Sequence, residues 1–375
     1  MSISVKPVDA GEHLAFISER GSASFLQTPA WGAVKSEWRS ESLGWFDGTT
    51  LIGVALVLYR QLPKLNRVLA YLPEGPVLDW DRTDVGEQLD ALVSYARSVK
   101  AFAVRIGPPV VERRWFADTI KEAVADDTIA RLSQMTPDDT SLVATRVLRQ
   151  LQHRNWRPVD DEQGFAAGQP KFNFHLPLLH EDGTPKTETE LLAGMNQQWR
   201  RNIKKADKAG VRVRIGDRAD LAKFHSVYLE TAARDGFTGR PLPYFEGMWD
   251  ALNAERDDRM QVYLAEHADD LVAATTMIRV GTHAWYSYGA STTAKRDVRG
   301  SNAIQWRMIQ DAVAAGCHVY DLRGITEGVG AEDPEIGLIQ FKVGTGGEAV
   351  AHLGEWDKAI NPLLHRAFLA YLKRR

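Results

Sequence analysis

The sequence predicts an α/β protein with two domains in tandem, and three observations support this. Its 375 residues exceed the length of one typical domain. Hydrophobic residues make up 44% and charged residues 25%, which is typical of a folded globular chain and excludes disordered and fibrous classes. Two distant stretches of the chain repeat the same order of predicted elements, so each stretch is expected to form one domain.

The repeat begins with a hairpin. Residues 44–60 contain two strand-like runs around the turn Asp47-Gly48, and residues 262–280 show the same pattern around residues 267–270. The elements that follow correspond in the same order, as strands 68–72 and 284–288, helices 84–99 and 300–316, and strands 102–106 and 318–322. An antiparallel meander followed by a helix and a further strand is the core order of a GNAT-like (acyl-CoA N-acyltransferase-like) domain. The turn-rich segment 180–185 predicts a boundary between a first domain, 1–178, and a second domain, 179–349.

Charge and cysteine content exclude several classes of protein. Lys and Arg total 46 and Asp and Glu total 49, so the net charge of −3 argues against coating of nucleic acid over the whole surface. Cys317 is the single cysteine, so one chain forms neither a disulfide framework nor a cysteine metal site. The N-terminus has no signal-peptide pattern, and no apolar run reaches the length of a membrane span. These features predict a cytoplasmic protein.

Residues 187–209 carry the clearest helix signal of the chain. Thr187 and Glu190 form a capping-box pattern, and Gly210 is the expected end. The predicted buried stripe consists of Leu192, Met195, Trp199, Ile203 and Ala206. The opposite face carries the cations Arg201, Lys204, Lys205 and Lys208, with Arg200 beside them. Two interpretations stay open, namely a solvated charged face and a phosphate-binding face for a nucleotide-linked substrate or RNA.

The last residues form a second amphipathic pattern. Its apolar side carries Leu363, Leu364, Ala367, Phe368 and Leu372, and its basic residues are His365, Arg366, Lys373, Arg374 and Arg375. The pattern predicts a docking helix with a basic end. Contact with an anionic membrane surface or with tRNA is the alternative.

Five motifs together resemble a known family. They are the segment 25–32 (FLQTPAWG) with Lys35, the segment 201–206 (RNIKKA), the segment 288–291 (YGAS), the segment 320–325 (YDLRGI) and the segment 337–347 (GLIQFKVGTGG). In this order they resemble the Fem (FemABX-type) aminoacyl-tRNA-dependent transferases of bacterial cell-wall synthesis. The resemblance covers nearly the whole chain and implies two GNAT-like domains without a coiled-coil arm. It also implies that the final segment, 350–375, returns to the first domain.

The resemblance implies a reaction and its partners. An aminoacyl group, here expected to be glycine or alanine, moves from tRNA to the stem-peptide amino group of a peptidoglycan precursor, either UDP-linked or lipid-linked. No metal or other cofactor is implied. A monomer is expected, in the cytoplasm or at the inner face of the membrane.

The resemblance also assigns roles to single residues. Lys342, after a strand-like run and before the glycine-rich segment 344–347, is expected near the transferred ester, where a cation stabilises the oxyanion or holds the terminal tRNA phosphate. Phe341 beside it shapes the aminoacyl or adenine pocket. The candidate substrate-binding residues are Lys35 and Arg201 for the diphosphate, Arg200 and Lys204 as their substitutes, Tyr288, and Trp38 for stacking on a base.

Three other functions remain as alternatives. The first is a tRNA-dependent transferase that acts on a natural-product peptide or a nucleoside antibiotic. The second is a coenzyme A-dependent acetyltransferase, although residues 295–301 match its pyrophosphate-binding turn poorly. The third is a non-catalytic RNA-binding module, which the basic helix suggests. One departure from the family resemblance is Gly107 before Pro108, because similar sequences often have an acidic residue before this proline.

Overall fold

The computed structural model describes residues 3–63, 65–159 and 169–372. Its contacts divide the chain into two compact units. The first contains Met1–Arg113, Asp139–Lys171 and Ala351–Arg375, and the second contains Arg114–Asp138 and Phe172–Val350. Across the parts that can be described, no helix combines the length and apolar character needed to cross a bilayer.

The strands alternate with helices along the whole chain. The strands are β1 (Ile3–Pro7), β2 (Arg39–Asp47), β3 (Thr50–Gln61), β4 (Val68–Leu72), β5 (Ala101–Ile106), β6 (Val111–Phe116), β7 (Asp139–Thr140), β8 (Arg157–Pro158), β9 (Phe172–Pro177), β10 (Arg212–Gly216), β11 (Met260–His267), β12 (Asp270–Val280), β13 (His283–Ser291), β14 (Val319–Ile325), β15 (Glu348–His352) and β16 (Trp356–Ala359). The α-helices are α1 (Ala10–Ser18), α2 (Pro29–Val34), α3 (Val85–Ser98), α4 (Ala117–Ala125), α5 (Leu142–His153), α6 (Glu188–Gly194), α7 (Gln197–Lys208), α8 (Leu221–Asp235), α9 (Leu242–Glu255), α10 (Gly300–Ala314), α11 (Ile336–Val343) and α12 (Pro362–Leu372).

The first unit is built on a sheet in the order β1-β2-β3-β4-β5-β16-β8. Adjacent strands are antiparallel except β4 and β5, which α3 connects in parallel. The β2–β3 turn places Gly48 at φ +62°, a conformation that glycine adopts at no steric cost. Apolar residues of α3, such as Leu89 and Leu92, pack with Trp45, Val57 and Trp356 in one buried core.

The second unit repeats this arrangement. Its sheet contains the run β10-β11-β12-β13-β14-β9 and continues beyond β9 with β15, and β13 and β14 are the parallel pair that α10 connects. The hairpin β11–β12 turns through Ala268 and Asp269, both at positive φ. The predicted fold class, two tandem GNAT-like α/β domains, is therefore confirmed.

The strands at the ends of the repeat come from distant parts of the sequence. In the first unit β16 lies beside β5, so the final segment contributes a strand there. In the second unit β9 lies beside β14. The predicted boundary at residue 178 falls one residue after β9, which the contacts group with the second unit. The helices α8 and α9 have 15 and 14 residues, and neither extends into a coiled-coil arm.

Two predictions of local structure are wrong. The single helix over 187–209 is interrupted between α6 and α7, because Asn196 has an extended backbone and its side chain accepts a hydrogen bond from the amide of Trp199, which starts a new helix. The run before Lys342 is the helix α11 rather than a strand. Its buried residues Ile339, Lys342 and Val343 follow helical spacing, which a short apolar run does not distinguish from a strand.

The C-terminal helix α12 is attached to the first unit. Phe368 is buried and its ring lies 5.4 Å from that of Phe102 in β5. His365 was expected among the basic residues, but it is buried and its Nε2 lies 2.9 Å from Oδ2 of Asp357. Leu363, expected on the apolar side, is exposed. Arg366 is exposed, as expected, and the other basic residues of that prediction, 373–375, lie outside the described part of the chain.

Candidate functional site

The site of the second unit lies where two parallel strands part. Pairing between β13 and β14 joins the first three residues of each strand, from His283 opposite Val319 to Trp285 opposite Asp321. The carboxyl ends of neighbouring parallel strands lie at one edge of a sheet, where α/β proteins commonly bind ligands. Tyr288 follows the paired part of β13, and Arg323 follows that of β14.

Lys342 reaches this edge of the sheet from α11. Its Nζ donates hydrogen bonds to the main-chain oxygens of Arg323 at 3.2 Å and Gly324 at 2.6 Å. The residue is only 3% exposed. Burial lowers the pKa of Lys342 to about 7, although the charge of Asp321 opposes this shift. Both the charged and the neutral form of the amine are therefore populated near neutral pH.

The turn that presents these two carbonyl oxygens is held by Asp321. Arg323 has a φ of +64°, which is unusual for a residue with a side chain. Its main-chain amide donates to Oδ1 of Asp321 at 2.5 Å, and Oδ2 faces His175 at 3.5 Å and His283 at 3.4 Å. Burial raises the pKa of Asp321, but the two histidines outweigh it and hold that pKa well below its ordinary value. Asp321 is therefore an ionised group inside the sheet.

Phe341 connects α11 to α7. Its ring lies 4.8 Å from the ring of Trp199, and its carbonyl oxygen accepts a hydrogen bond of 2.8 Å from Nε1 of that residue. The amide of Asn196 donates to the carbonyl oxygen of Gly344 at 2.9 Å. These contacts fix the start of the basic helix against the segment that carries Lys342.

The glycine-rich segment after Lys342 is packed against protein. A Cβ on Gly344 would lie 2.2 Å from Cδ1 of Trp199, and one on Gly347 would lie 2.2 Å from the carbonyl oxygen of His175. Gly346 has a φ of +81°. Close packing therefore accounts for these glycines, and a phosphate cradle is not needed to explain them.

The predicted cations of α7 divide into two groups. Arg200 donates from Nη1 to the carbonyl oxygens of Ala193, at 3.1 Å, and Met195, so it caps the end of α6. Arg201 and Lys204 point to solvent, as do Lys205 and Lys208. The exposed cations are the ones available to an anionic ligand.

Tyr288 belongs to an aromatic group between the sheet and helices α8 and α9. Its ring lies 5.0 Å from the ring of Phe245, and its hydroxyl oxygen lies 3.3 Å from that of Tyr244. The guanidinium of Arg240 lies 4.5 Å from the ring centre of Tyr244. The Tyr244 contact holds the hydroxyl of Tyr288 in place. Because Tyr288 is half-buried, part of its side chain remains accessible.

Lys35 and Trp38 lie in the first unit, directly after α2. Nζ of Lys35 lies 4.0 Å from a carboxylate oxygen of Glu37, and its side chain is partly exposed. The ring of Trp38 lies 6.1 Å from the ring of Tyr71. Tyr71 in turn donates from its hydroxyl to Oε1 of Glu355 at 2.5 Å.

Glu355 is a buried acid that the sequence did not indicate. Burial raises the pKa of Glu355 to about 7, although the hydrogen bond from Tyr71 and the charge of Arg105 oppose the shift. A Cβ on Gly107 would lie 3.8 Å from Cγ of Glu355, so this side chain lies beside the turn at Gly107. Nearby, Arg105 forms a two-bonded ion pair with Asp357, at 2.7 and 2.8 Å.

Sequence reasoning also missed His175 and His283. Each is an isolated histidine in a strand, a pattern that does not distinguish a packed residue from a functional one. Only the pairing of β9 and β13 with β14 brings them to Asp321. The segments 288–291, 320–325 and 337–347 pointed to this edge of the sheet, but none of them contains either histidine.

Comparison with known proteins identifies the family. The family model described as the FemAB family matches residues 8–267 and 250–374. The lipid II:glycine glycyltransferase of Staphylococcus epidermidis is 24% identical, over 94% of this chain and 92% of that protein. The enzyme of the same name from Staphylococcus aureus strain MRSA252 is 22% identical over 95% and 92%.

Solved structures share the fold. The crystal structure of FemX superposes with a TM-score of 0.80 at 21% identity, over 97% of this chain and 99% of that one. The C-terminal domain of a putative lysylphosphatidylglycerol synthetase from Agrobacterium fabrum gives 0.51 at 11% identity, over 96% and 95%. Because the family model matches nearly the whole length of this chain, the chain belongs to the FemAB family and is a tRNA-dependent aminoacyltransferase.

Proposed function

We propose that this protein moves glycine or alanine from aminoacyl-tRNA to the stem-peptide amino group of a peptidoglycan precursor. The observation that supports this most strongly is the match to a lipid II:glycine glycyltransferase along 94% of this chain and 92% of that enzyme. At this coverage the match extends over both units. The product is a peptidoglycan precursor that carries the first residue of an interpeptide bridge.

The reaction is aminolysis of an ester. The amine nitrogen forms a bond to the aminoacyl carbonyl carbon, the bond to the ribose oxygen breaks, and the proton lost by the amine balances the proton gained by the leaving ribose oxygen. The ester is already activated, so no covalent intermediate on the protein is required. The site must orient two large substrates and stabilise the oxyanion that forms.

Lys342 is the group we place at the reacting ester. In its charged form the amine stabilises the oxyanion, and its pKa of about 7 keeps that form populated at neutral pH. Its Nζ is bonded to the carbonyl oxygens of Arg323 and Gly324, at the edge where β13 and β14 part. The charged amine has a third N–H donor, and we propose that substrate binding brings the carbonyl oxygen of the ester to it.

The remaining predicted residues are assigned to binding. We propose that the exposed cations Arg201 and Lys204, with Lys35, neutralise phosphates of the precursor or of tRNA. Tyr288 and Trp38 are proposed to contact the non-phosphate parts of the substrates. Arg200 is assigned to the structure of α6 and α7, since its guanidinium already binds two carbonyl oxygens.

A transfer assay tests the function. Purified protein is mixed with tRNA charged with a labelled amino-acid pool and with either a UDP-linked pentapeptide or its lipid-linked form. Label should move to one acceptor, and the amino acid that moves identifies the donor. Binding of charged tRNA without transfer to either acceptor would contradict the proposed acceptor.

A further inference from the structure

Three potential metal ligands lie side by side on the sheet of the second unit. His175 is on β9, Asp321 on β14 and His283 on β13, which are consecutive neighbours in the sheet. His175 is directly opposite Asp321 in the register, and His283 precedes by two residues the position opposite it. Hydrogen-bonded strands therefore fix the backbone positions of all three residues.

The distances within this group are long for hydrogen bonds. Both Nε2 atoms approach the same carboxylate oxygen, Oδ2 of Asp321, at 3.5 Å from His175 and 3.4 Å from His283. A second buried histidine–aspartate pair, His365 and Asp357, has a distance of 2.9 Å between the same atom types. A hydrogen bond weakens at the longer separation, so hydrogen bonding alone does not explain the arrangement.

These two spacings match those of ligands on a tetrahedral metal ion. Zn²⁺ binds imidazole nitrogen at about 2.0–2.1 Å and carboxylate oxygen at about 2.0–2.2 Å, so ligand atoms at a tetrahedral angle lie about 3.3–3.5 Å apart. The corresponding edge of an octahedron with bonds of about 2.1 Å is only about 3.0 Å. The three ligand atoms lie within 4.8 Å of one another. We propose that His175, His283 and Asp321 bind one divalent transition-metal ion, with Zn²⁺ as the ion that fits the spacing.

The surroundings fit a metal site. The main-chain amide of Arg323 donates to Oδ1 of Asp321, which leaves Oδ2 directed at the histidines. The ring of His283 stacks on Trp285, with 4.1 Å between the ring centres. Asp321 and His175 are buried, whereas the His283 side chain is 16% exposed, so an ion can enter from that side. Three protein ligands leave the fourth tetrahedral position to water.

The ligand set predicts which ions bind. Two imidazoles favour zinc and other transition metals, whereas magnesium and calcium prefer sites made of oxygen ligands. The proposal concerns ion binding alone and does not depend on the transfer reaction. A protein that binds no ion could therefore still transfer an aminoacyl group, and a protein without transfer activity could still bind the ion.

Equilibrium dialysis of tag-free protein against Zn²⁺ tests the proposal. After treatment with a chelator and return to Zn²⁺, the protein should bind one ion per chain, measured by elemental analysis. Co²⁺ in place of Zn²⁺ should give the visible absorption of a tetrahedral complex. Excess Mg²⁺ should not displace the Zn²⁺, and displacement by Mg²⁺ would contradict the ligand assignment.

Variants separate this site from adventitious binding. His283→Asn removes the most exposed ligand and Asp321→Asn the central one, and each should raise the Kd for Zn²⁺ by at least about 100-fold, since even changes around metal ligands cost about 10–100-fold. His180→Asn is the matched control, because His180 lies 3.3 Å from Glu190 on the surface of the same unit. If Asp321→Asn fails to fold, His283→Asn still decides. Less than one ion bound at saturation, or an unchanged Kd in His283→Asn, would overturn the proposal.

Discussion

At the scale of single residues, Lys342 shows how burial changes the chemistry of an amine. A neutral amine has two N–H donors, and the carbonyl oxygens of Arg323 and Gly324 accept from both positions. A charged ammonium has a third donor, which at 3% exposure has little access to water. Burial therefore favours the neutral form, and Asp321 limits the shift by favouring the charged one.

The lowered pKa of Lys342 predicts a dependence of stability on pH. The pKa is about 7 in the folded protein and near its ordinary value of 10.5 in the unfolded chain, so between these values the unfolded chain binds the extra proton. The contribution of Lys342 to stability is complete above pH 10.5 and is lost as the pH falls to 7, by about 1.4 kcal/mol per pH unit.

Chemical denaturation of wild type and Lys342→Met at several pH values measures this contribution. Between pH 7 and 10.5, the free energy of unfolding of wild type should rise relative to that of Lys342→Met by about 1.4 kcal/mol per pH unit. Lys121→Met is the control, because this lysine is exposed in the same unit. Parallel pH curves for wild type and Lys342→Met would contradict burial of an ionisable amine at this position.

At the scale of elements, the contact between α7 and α11 places the basic helix beside the Lys342 segment. Gly344 has a φ of −59°, which any residue adopts, yet a Cβ there would lie 2.2 Å from a ring atom of Trp199. Gly344→Ala should therefore lower the free energy of unfolding by about 1–3 kcal/mol through overpacking alone. Gly337 lies within α11, and a Cβ there would meet no atom within 4 Å, so Gly337→Ala should cause no loss of stability. Equal stability of the two variants, measured by denaturation, would show that the contact is loose.

Replacing two neighbouring arginines of α7 should affect different properties, stability for Arg200 and ligand binding for Arg201. Arg200→Ala removes hydrogen bonds to two carbonyl oxygens and should cost about 1–2 kcal/mol of stability. Arg201→Ala removes an exposed cation and should change stability by less than about 0.5 kcal/mol. It should weaken tRNA or precursor binding and reduce the salt slope by about 1 if its cation contacts one phosphate. Binding measured over a series of salt concentrations checks this, and an unchanged slope for both ligands would make the α7 surface a solvated face.

At the scale of the whole molecule, the sequence predicted the order of elements because a hairpin and a crossover helix are local patterns. The turns at Gly48 and at Ala268–Asp269 both follow from such patterns. Pairings between distant strands have no local signal, so the positions of β9 and β16 were not predicted from periodicity. His175 and Glu355 take their roles from those two pairings, and for that reason neither was a candidate residue. The interruption at Asn196 was missed because the apolar spacing continues across it.

A single-turnover transfer assay tests the central claim most directly. Charged tRNA is mixed with an excess of wild type or of Lys342→Ala, together with the acceptor, and the aminoacylated precursor is followed with time. Wild type should form this product, and Lys342→Ala should form it at least about 100-fold more slowly, because one group that stabilises an oxyanion contributes about 10²–10³ in rate. Circular dichroism and tRNA affinity should show that the variant remains folded and binds its donor. Equal rates would remove Lys342 from the reaction, and no product with wild type would contradict aminoacyl transfer to this acceptor.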